Sequence, residues 1–247
     1  MKTYLTLDVG GSAIKYALLQ EDLTILEKSS VPTPMDTLEN FIETIGKIYD
    51  QFQDQIAGMA LSMPGIIDPE RGYQYTGGAL RYIDKLATVE VLKKRCPTNI
   101  TIGNDAKCAA NAEIGFGNLQ DIQDGAVVIL GTGIGGCIIL DGKIFHGFSN
   151  SACEVGYMHL DGGEFQDLGA ASILTKKVAK RKQESESDWN GYHIFESAKQ
   201  GDETCIQAID EMADVLGKGI SNICYVLNPE IVVLGGGIMA QEEFLGD

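Results

Sequence analysis

Two glycine-rich segments in this chain have the residue types needed to hold phosphate oxygens. Asp8-Val9-Gly10-Gly11-Ser12 follows the run Tyr4-Leu5-Thr6-Leu7, and Gly131-Thr132-Gly133-Ile134-Gly135-Gly136 follows Val127-Val128-Ile129-Leu130. Glycine lacks a Cβ, so a turn built from it can present backbone N–H groups to an anion. A Walker or Rossmann loop would lead into a helix. Here the strand-like runs Lys15-Tyr16-Ala17-Leu18-Leu19 and Cys137-Ile138-Ile139-Leu140 follow, with Asp141-Gly142 as a hairpin signal after the second. The pattern predicts two phosphate-holding β-hairpins. Asp8 stands two residues before the first glycines, where a carboxylate suits a Mg²⁺ shell while the loop N–H groups and Ser12 take terminal phosphates. An ordinary tight hairpin is the competing reading of that segment. A third glycine turn, Gly235-Gly236-Gly237, ends the run Ile231-Val232-Val233-Leu234.

Asn104-Asp105 lies where the strand sequence Asn99–Gly103 meets an alanine-rich helix sequence. Asp105 either caps that helix or serves as a general base at a strand end. Helix N–H groups favour its ionised form in both readings. A carboxylate so placed can take the proton of an alcohol as its oxygen attacks phosphorus. Glu154, in Cys153-Glu154-Val155-Gly156-Tyr157-Met158-His159, is either a solvated loop residue or an acceptor for the hydroxyls of a polyol. His159 has no nearby Cys or second His and reads as a structural or surface histidine. Met63-Pro64-Gly65-Ile66-Ile67-Asp68 reads as a turn suited to lining a cleft, with Asp68 stabilising it.

These residues need elements to hold them. Two strands to about Leu19 and a third from Ile25 to Ser29 lead into a helix over Thr37 to Gln53, whose Leu38, Phe41, Ile42, Ile45 and Ile48 share one face. A buried strand over Ile56 to Ser62, a helix over 84–95, the strand at Asn99 to Gly103 and a helix over Ala106 to Phe116 complete a first round. A second round has strands from Gly125 to about Ile144, helices over Leu168 to Arg181, Asp188 to Lys199 and Ile206 to Val226, and a strand over Glu230 to Leu234. The repeated order predicts an α/β chain of two domains, 1–107 and 108–247, with a cleft between them. The last glycine turn should open a helix, and a final helix is expected to be missing after it.

Composition narrows the function classes. A net charge of -16 on 247 residues argues against a phosphate-facing nucleic-acid surface and against an anionic membrane. No apolar run approaches the ~20 residues of a membrane span, and the N-terminus enters a strand pattern directly, so no signal peptide is expected. The six cysteines form no Cys-x-x-Cys pair and read as reduced residues of a cytoplasmic protein.

Taken together and in order, these segments resemble the ROK family of sugar kinases and regulators across essentially the whole chain. The resemblance implies the actin-like ATPase (ribonuclease H-like) fold and ATP with Mg²⁺ as cofactors. It makes Asp105 the base and Asn104 a sugar contact, and it makes Gly65 part of a sugar-cleft loop. It assigns Asp8, Gly10, Gly11, Ser12, Gly131, Thr132, Gly133 and Gly135 to phosphate, and Gly235 and Gly236 to the adenosine side. Glu154 and Tyr157 match the sugar motif Glu-x-Gly-His, with tyrosine in place of histidine. Many members carry a zinc cluster of one His and three Cys after that motif. Here Asp161-Gly162-Gly163-Glu164-Phe165 stands at that place, so no structural zinc is expected. Gln166 stands where a sugar-contacting Glu is usual. Both changes fall in the sugar pocket and point toward a zinc-free glucokinase or a β-glucoside kinase. The regulators of the family carry an N-terminal DNA-binding segment, whereas this chain begins at the first phosphate strand. The implied reaction is ATP-dependent phosphorylation of a sugar hydroxyl, most simply the 6-hydroxyl, in a possible homodimer. A sugar-binding sensor derived from a kinase is the alternative.

Overall fold

The computed structural model describes residues 1–240. The expectation of a missing final helix falls on positions beyond Ala240 and lies outside the described residues. The chain divides into two units, Met1–Cys108 and Ala109–Asp247. Among the described residues no helix is long and apolar enough to cross a membrane.

In the first unit, β1 (Thr3–Val9), β2 (Ala13–Gln20), β3 (Ile25–Pro32), β4 (Gly58–Met63) and, later in the chain, the strand Ile100–Asn104 form a five-stranded sheet. β1 and β2 are an antiparallel hairpin, whereas β4 runs parallel to β1. Alternation sends Leu5, Leu7, Val9, Met59, Leu61 and Ile102 to one buried face. Helix α1 (Leu38–Phe52) covers that face with Phe41, Ile45, Ile48, Tyr49 and Phe52, a spacing of about one helical turn. Thr37 caps it by accepting the Asn40 N–H at 3.2 Å.

A two-residue hairpin of β5 (Ile67–Asp68) and β6 (Tyr73–Gln74) follows the Pro64-Gly65 turn. Helix α2 covers only Thr88–Arg95, later than the predicted start at 84. The reason is tertiary. Leu86 exchanges both backbone hydrogen bonds with Gln74, and Lys85 sits at φ 53°, so those residues are held out of the helix. Arg95 lies across α1 where residue 46 is glycine: a Cβ there would come within 2.4 Å of the guanidinium. From that position Arg95 pairs with Asp50 at 2.6 Å and Glu43 at 3.1 Å. The fifth strand, β7 (Ile100–Asn104), lies parallel to β4 and passes directly into α3 (Asp105–Phe116).

The second unit repeats this plan with one strand fewer. β8 (Gly125–Leu130), β9 (Ile134–Leu140) and β10 (Lys143–Phe145) form an antiparallel meander. After the small hairpin of β11 (His159–Leu160) and β12 (Gly163–Glu164), the predicted helix over 168–181 is in fact two. These are α4 (Phe165–Gly169) and α5 (Ala171–Lys182), separated at Ala170 by an extended backbone of ψ 154°. Helix α6 starts at Gly191 with Asn190 as its cap, not at Asp188. Helix α7 (Glu203–Leu227) is capped by Asp202, which accepts from Thr204 and Cys205 N–H groups. Strand β13 (Ile231–Gly235) joins β8 in parallel and gives way to a short 3-10 turn, Gly237–Ala240.

Close packing in this unit depends on small residues. Phe165 is fully buried and lies on α7 at Gly219, where a Cβ would sit 2.3 Å from the ring. Gly169 packs against Val215 in the same way. The one tryptophan of the sequence, Trp189, is 9% exposed within this core. It stacks on His193 with ring centroids 4.5 Å apart and donates its indole N–H to Glu184 at 2.8 Å.

Candidate functional site

In the first unit, β1, β4 and β7 are parallel and end side by side, so the residues at their carboxyl ends share one edge. Asp8, Ser62 and Gly103 are direct neighbours across the three strands. Asp8 is exposed; its Oδ1 accepts from the Ser62 hydroxyl at 3.2 Å, and its Oδ2 lies 3.8 Å from Lys15 Nζ. One oxygen is thus anchored and the other reaches only a loose, solvent-exposed partner. Such a hard, half-committed oxygen fits Mg²⁺, which keeps several waters and takes one or two carboxylates plus phosphate oxygens.

The loop after Asp8 is tied down on its carbonyl side. Gly10 N–H donates to the Ala13 carbonyl at 3.0 Å, so this amide is spent inside the turn. The buried Thr33 donates its hydroxyl to the Gly10 carbonyl at 2.6 Å and its N–H to the Ser12 carbonyl at 3.1 Å. Gly11 and Ser12 lie exposed at the tip. Of the residues expected to hold phosphate here, Gly11 and Ser12 therefore carry the presented groups, and Gly10 shapes the turn. Thr33 belongs to no motif, and only the fold reveals it.

At the end of β7 the two readings of Asp105 separate. The cap of α3 is Asn104, whose side-chain carbonyl accepts the Lys107 N–H at 3.2 Å. Asp105 is the first helical residue, and its Oδ1 accepts the adjacent Ala106 N–H at 2.8 Å. Its carboxylate is thus engaged at the helix start through Oδ1 without being the cap. Desolvation at the strand end pushes its carboxyl above the ordinary aspartate value, although the residue keeps an exposed surface; the Ala106 hydrogen bond opposes this and the charge of Asp8 reinforces it. The Asn104 amide also donates to the Gly65 carbonyl at 3.0 Å. Gly65 itself is at φ 94°, and a Cβ there would lie 2.0 Å from the Thr76 carbonyl oxygen. The neighbouring Pro64 carbonyl accepts from Gln74 Nε2 at 3.1 Å, and Gln74, wholly buried, also accepts from Thr88. Two amide side chains thus pin the Pro64-Gly65 turn, and Gln74 has no sequence signal. Asp68 accepts the Arg71 N–H at 3.0 Å and so stabilises its own turn.

The second unit builds a similar loop. Gly131 N–H donates to the Gly133 carbonyl at 2.9 Å. The carbonyls are again tied back, Gly131 by Ala171 N–H at 3.0 Å and Thr132 by the Ser172 hydroxyl at 2.6 Å. Thr132 is exposed, and a Cβ on Gly131 would meet nothing within 4 Å. Gly136 has a different task. Its missing Cβ admits the segment at Glu154, since a side chain there would lie 2.8 Å from the Cys153 carbonyl oxygen. Cys153 takes φ 65° and swings the chain so that Glu154 leads into the 3-10 turn Val155–Tyr157. Gly156 rests on the Ile134 carbonyl, and Gln166 Oε1 sits beside both Gly133 and Gly156 while its Nε2 donates to Glu164 at 3.2 Å. Gln166 is therefore next to the loop and the Glu154 turn together. Tyr157 is 59% exposed. Gly235 and Gly236 abut the end of β8: Gly236 has φ 109°, and a Cβ there would fall 2.0 Å from the Leu130 carbonyl oxygen. His159 is exposed, and no group of three or more His, Cys, Asp or Glu that could hold a metal occurs among the described residues.

Known proteins resemble this chain along nearly its whole length. An uncharacterized protein of Clostridium perfringens is 37% identical over 98% of this chain and 84% of its own length. The beta-glucoside kinase of Klebsiella pneumoniae is 28% identical, covering 96% of this chain and 82% of that protein. A crystal structure of a ROK family protein from Streptococcus pneumoniae in complex with sucrose superposes with a TM-score of 0.85 at 30% identity, over 99% of this chain and 83% of that one. Residues 4–247 match the ROK family, and the chain, with its paired hairpin sheets, belongs to that family and its actin-like ATPase fold.

Proposed function

We propose that the protein is an ATP-dependent sugar kinase that phosphorylates a hydroxyl, most simply the 6-hydroxyl, of a hexose or β-glucoside, with Asp105 as general base. The observation that carries this reading is the division of labour at the end of β7. Asn104 caps α3 and leaves the Asp105 carboxylate at the strand edge, in an environment that raises its proton affinity. A base must gain a proton in the reaction, and this environment favours that change. Asp105 accepts the hydroxyl proton as the oxygen forms its bond to the γ-phosphorus and the bond from phosphorus to the ADP oxygen breaks.

In the first unit Gly11 and Ser12 offer N–H and hydroxyl groups to phosphate, shaped by Gly10. In the second, Thr132, Gly133 and Gly135 do so, with Gly131 and the Gly235-Gly236 turn shaping the nucleotide side. Asp8 would hold Mg²⁺, which when bound neutralises phosphate charge. Asn104, Gly65, Glu154, Tyr157 and Gln166 would read the sugar, each from its own unit. The β-glucoside reading draws support from the Klebsiella relative and from the exposed Tyr157, an aromatic face on which a sugar ring can stack.

An ADP-release assay with Mg-ATP and a panel of glucose, mannose, N-acetylglucosamine, N-acetylmannosamine, cellobiose and gentiobiose tests this directly. Sugar-dependent turnover is expected. Asp105→Ala should lower kcat by at least about 10³-fold, within the range of removing a general base, with sugar affinity kept. Sugar binding without turnover in the parent protein would favour a sensor instead.

A further inference from the structure

We propose that the turn Gly77–Ala79 is a wedge between the phosphate tip of the first unit and its sugar turn, and that Tyr82 and Asp84 are the positioning residues that hold it there. This rests on the reading of Gly11 and Ser12 as phosphate-holding residues and of Pro64-Gly65 as a sugar turn. The wedge stands against both. Gly78 is at φ 59°, and a Cβ there would lie 3.2 Å from Pro64 Cβ and 3.5 Å from the Gly65 nitrogen. Ala79 Cβ lies 3.7 Å from where a Cβ of Gly11 would be. Gly78 and Ala79 are themselves exposed.

Behind the wedge the chain is pinned at two points. The Gly77 N–H donates to Asp84 Oδ1 at 2.6 Å, and the Gly77 carbonyl accepts the Leu80 N–H at 3.0 Å. Leu80 and Ile83, both fully buried, root the following 3-10 turn Arg81–Ile83 in the core. From that turn Tyr82 lays its ring against Phe41 of α1, with centroids 5.8 Å apart, and its hydroxyl reaches the Pro34 carbonyl at 2.5 Å. A carbonyl can only accept, so the phenol donates. Burial, helped by the charge of Asp36, pushes Tyr82 up to about 12, so it keeps that proton at neutral pH. Pro34 follows Thr33, whose hydroxyl and N–H hold the Gly10 and Ser12 carbonyls. Tyr82 thus ties the segment behind the phosphate loop to the segment that carries the wedge. The result is a fixed spacing between two loops that each bind a different ligand. Transfer needs the reacting atoms within about 3–3.5 Å, and a misplacement of about 1 Å costs about 100-fold. Loosening the wedge should therefore slow the chemical step and leave each affinity in place, since Thr33 still holds its two carbonyls.

Single-turnover phosphorylation of glucose and of cellobiose, with KM for ATP and for sugar from the steady state, reads this. Tyr82→Phe keeps the ring on Phe41 and loses the tie to Pro34. Its transfer rate should fall about ten-fold, part of the cost of such a misplacement, with both KM values kept. Asp84→Ala should do the same, while Asp84→Asn, which keeps the accepting oxygen, should retain the parent rate. Tyr82→Phe combined with Asp84→Ala should fall no further than the slower single variant, since both free one turn. Ala79→Val thickens the wedge at an exposed position and should slow transfer at an unchanged melting temperature, so it carries the test if the other variants unfold. An unchanged rate in Tyr82→Phe, or a raised KM for one substrate with the rate kept, overturns the wedge alone. A loss in Tyr82→Phe that Ala79→Val does not share marks Tyr82 as a stabiliser of the fold and overturns it too. No turnover of either sugar by the parent removes the kinase reading and the wedge with it.

Discussion

The two glycine loops solve one problem in the same way and differ in what stands before them. In each, the first glycine N–H is spent within the turn, Gly10 on Ala13 and Gly131 on Gly133. In each, a hydroxyl from elsewhere in its unit holds a loop carbonyl at 2.6 Å, Thr33 on Gly10 and Ser172 on Thr132. Carbonyl oxygens repel phosphate, so tying them back leaves N–H groups at the tip. The strand sheets behind them also match: β3-β2-β1-β4 in the first unit and β10-β9-β8-β13 in the second. Yet Asp8 precedes the first loop, where the second has Ile129, packed beside Gly235. The loop frame, with its carbonyls tied back, is common to both units. The pair of strand-end carboxylates, Asp8 and Asp105, within electrostatic reach of each other, belongs to the first unit.

That asymmetry can be tested from its strongest element down. Asp105→Asn should abolish transfer yet stabilise the fold at neutral pH. Between the ordinary aspartate value of 3.8 and its raised folded value, the folded state keeps a proton that the unfolded chain has released. Stability from this group therefore falls as pH rises through that window, and the Asn variant escapes the loss. Melting curves should show the variant ahead at pH 7 and level with its parent below about pH 3.8; an unstabilised variant at neutral pH would contradict a carboxyl whose folded-state proton affinity is raised. In the same parent, kcat/KM should drop as pH falls through that raised value.

Gly219→Ala probes the second unit without touching any phosphate loop. Its Cβ would press on the buried Phe165 ring, next to Gln166, and overpacking of this kind costs about 1–3 kcal/mol. The predicted signature is a lowered melting temperature with a raised KM for sugar. Unchanged melting would mean that α4 and α7 are not locked at that contact. The smallest effects should come from Thr33→Val and Ser172→Ala. Each removes one hydroxyl from a loop carbonyl, about 1 kcal/mol by the usual scale, and each should raise KM for ATP a few-fold. Matching effects would establish the loops as equivalents; a large effect at only one would break the parallel drawn above.

Much of the frame was legible in the sequence because it depends on local period. The two hairpins, the apolar face of α1 and the strand-to-helix passage at Asn104-Asp105 all follow from alternation, helical spacing and glycine. What escaped was set by distant partners. Residues 84–87 read as helix until Leu86 paired with Gln74, and the helix over 168–181 broke at Ala170, where the small Gly169 lets α4 close on α7. On position alone Asp105 read more readily as a helix cap than as a base, until Asn104 was seen to take the capping role. Thr33, Gln74 and Ser172 carry no motif, since a single hydroxyl or amide acquires its task only from the carbonyl the fold brings to it. Gly136 was read as part of a phosphate loop, whereas its missing side chain makes room for Cys153 and Glu154.

The lone indole also has a consequence. Trp189 lies wholly within the second unit, stacked on His193 and bonded to Glu184. Its fluorescence is thus an intrinsic reporter of one half of the molecule, while circular dichroism sees the helices of both. Recording the two signals along one denaturant series would separate the melting of the half that carries Gln166 and Tyr157 from that of the half that carries Asp8 and Asp105, with no label introduced.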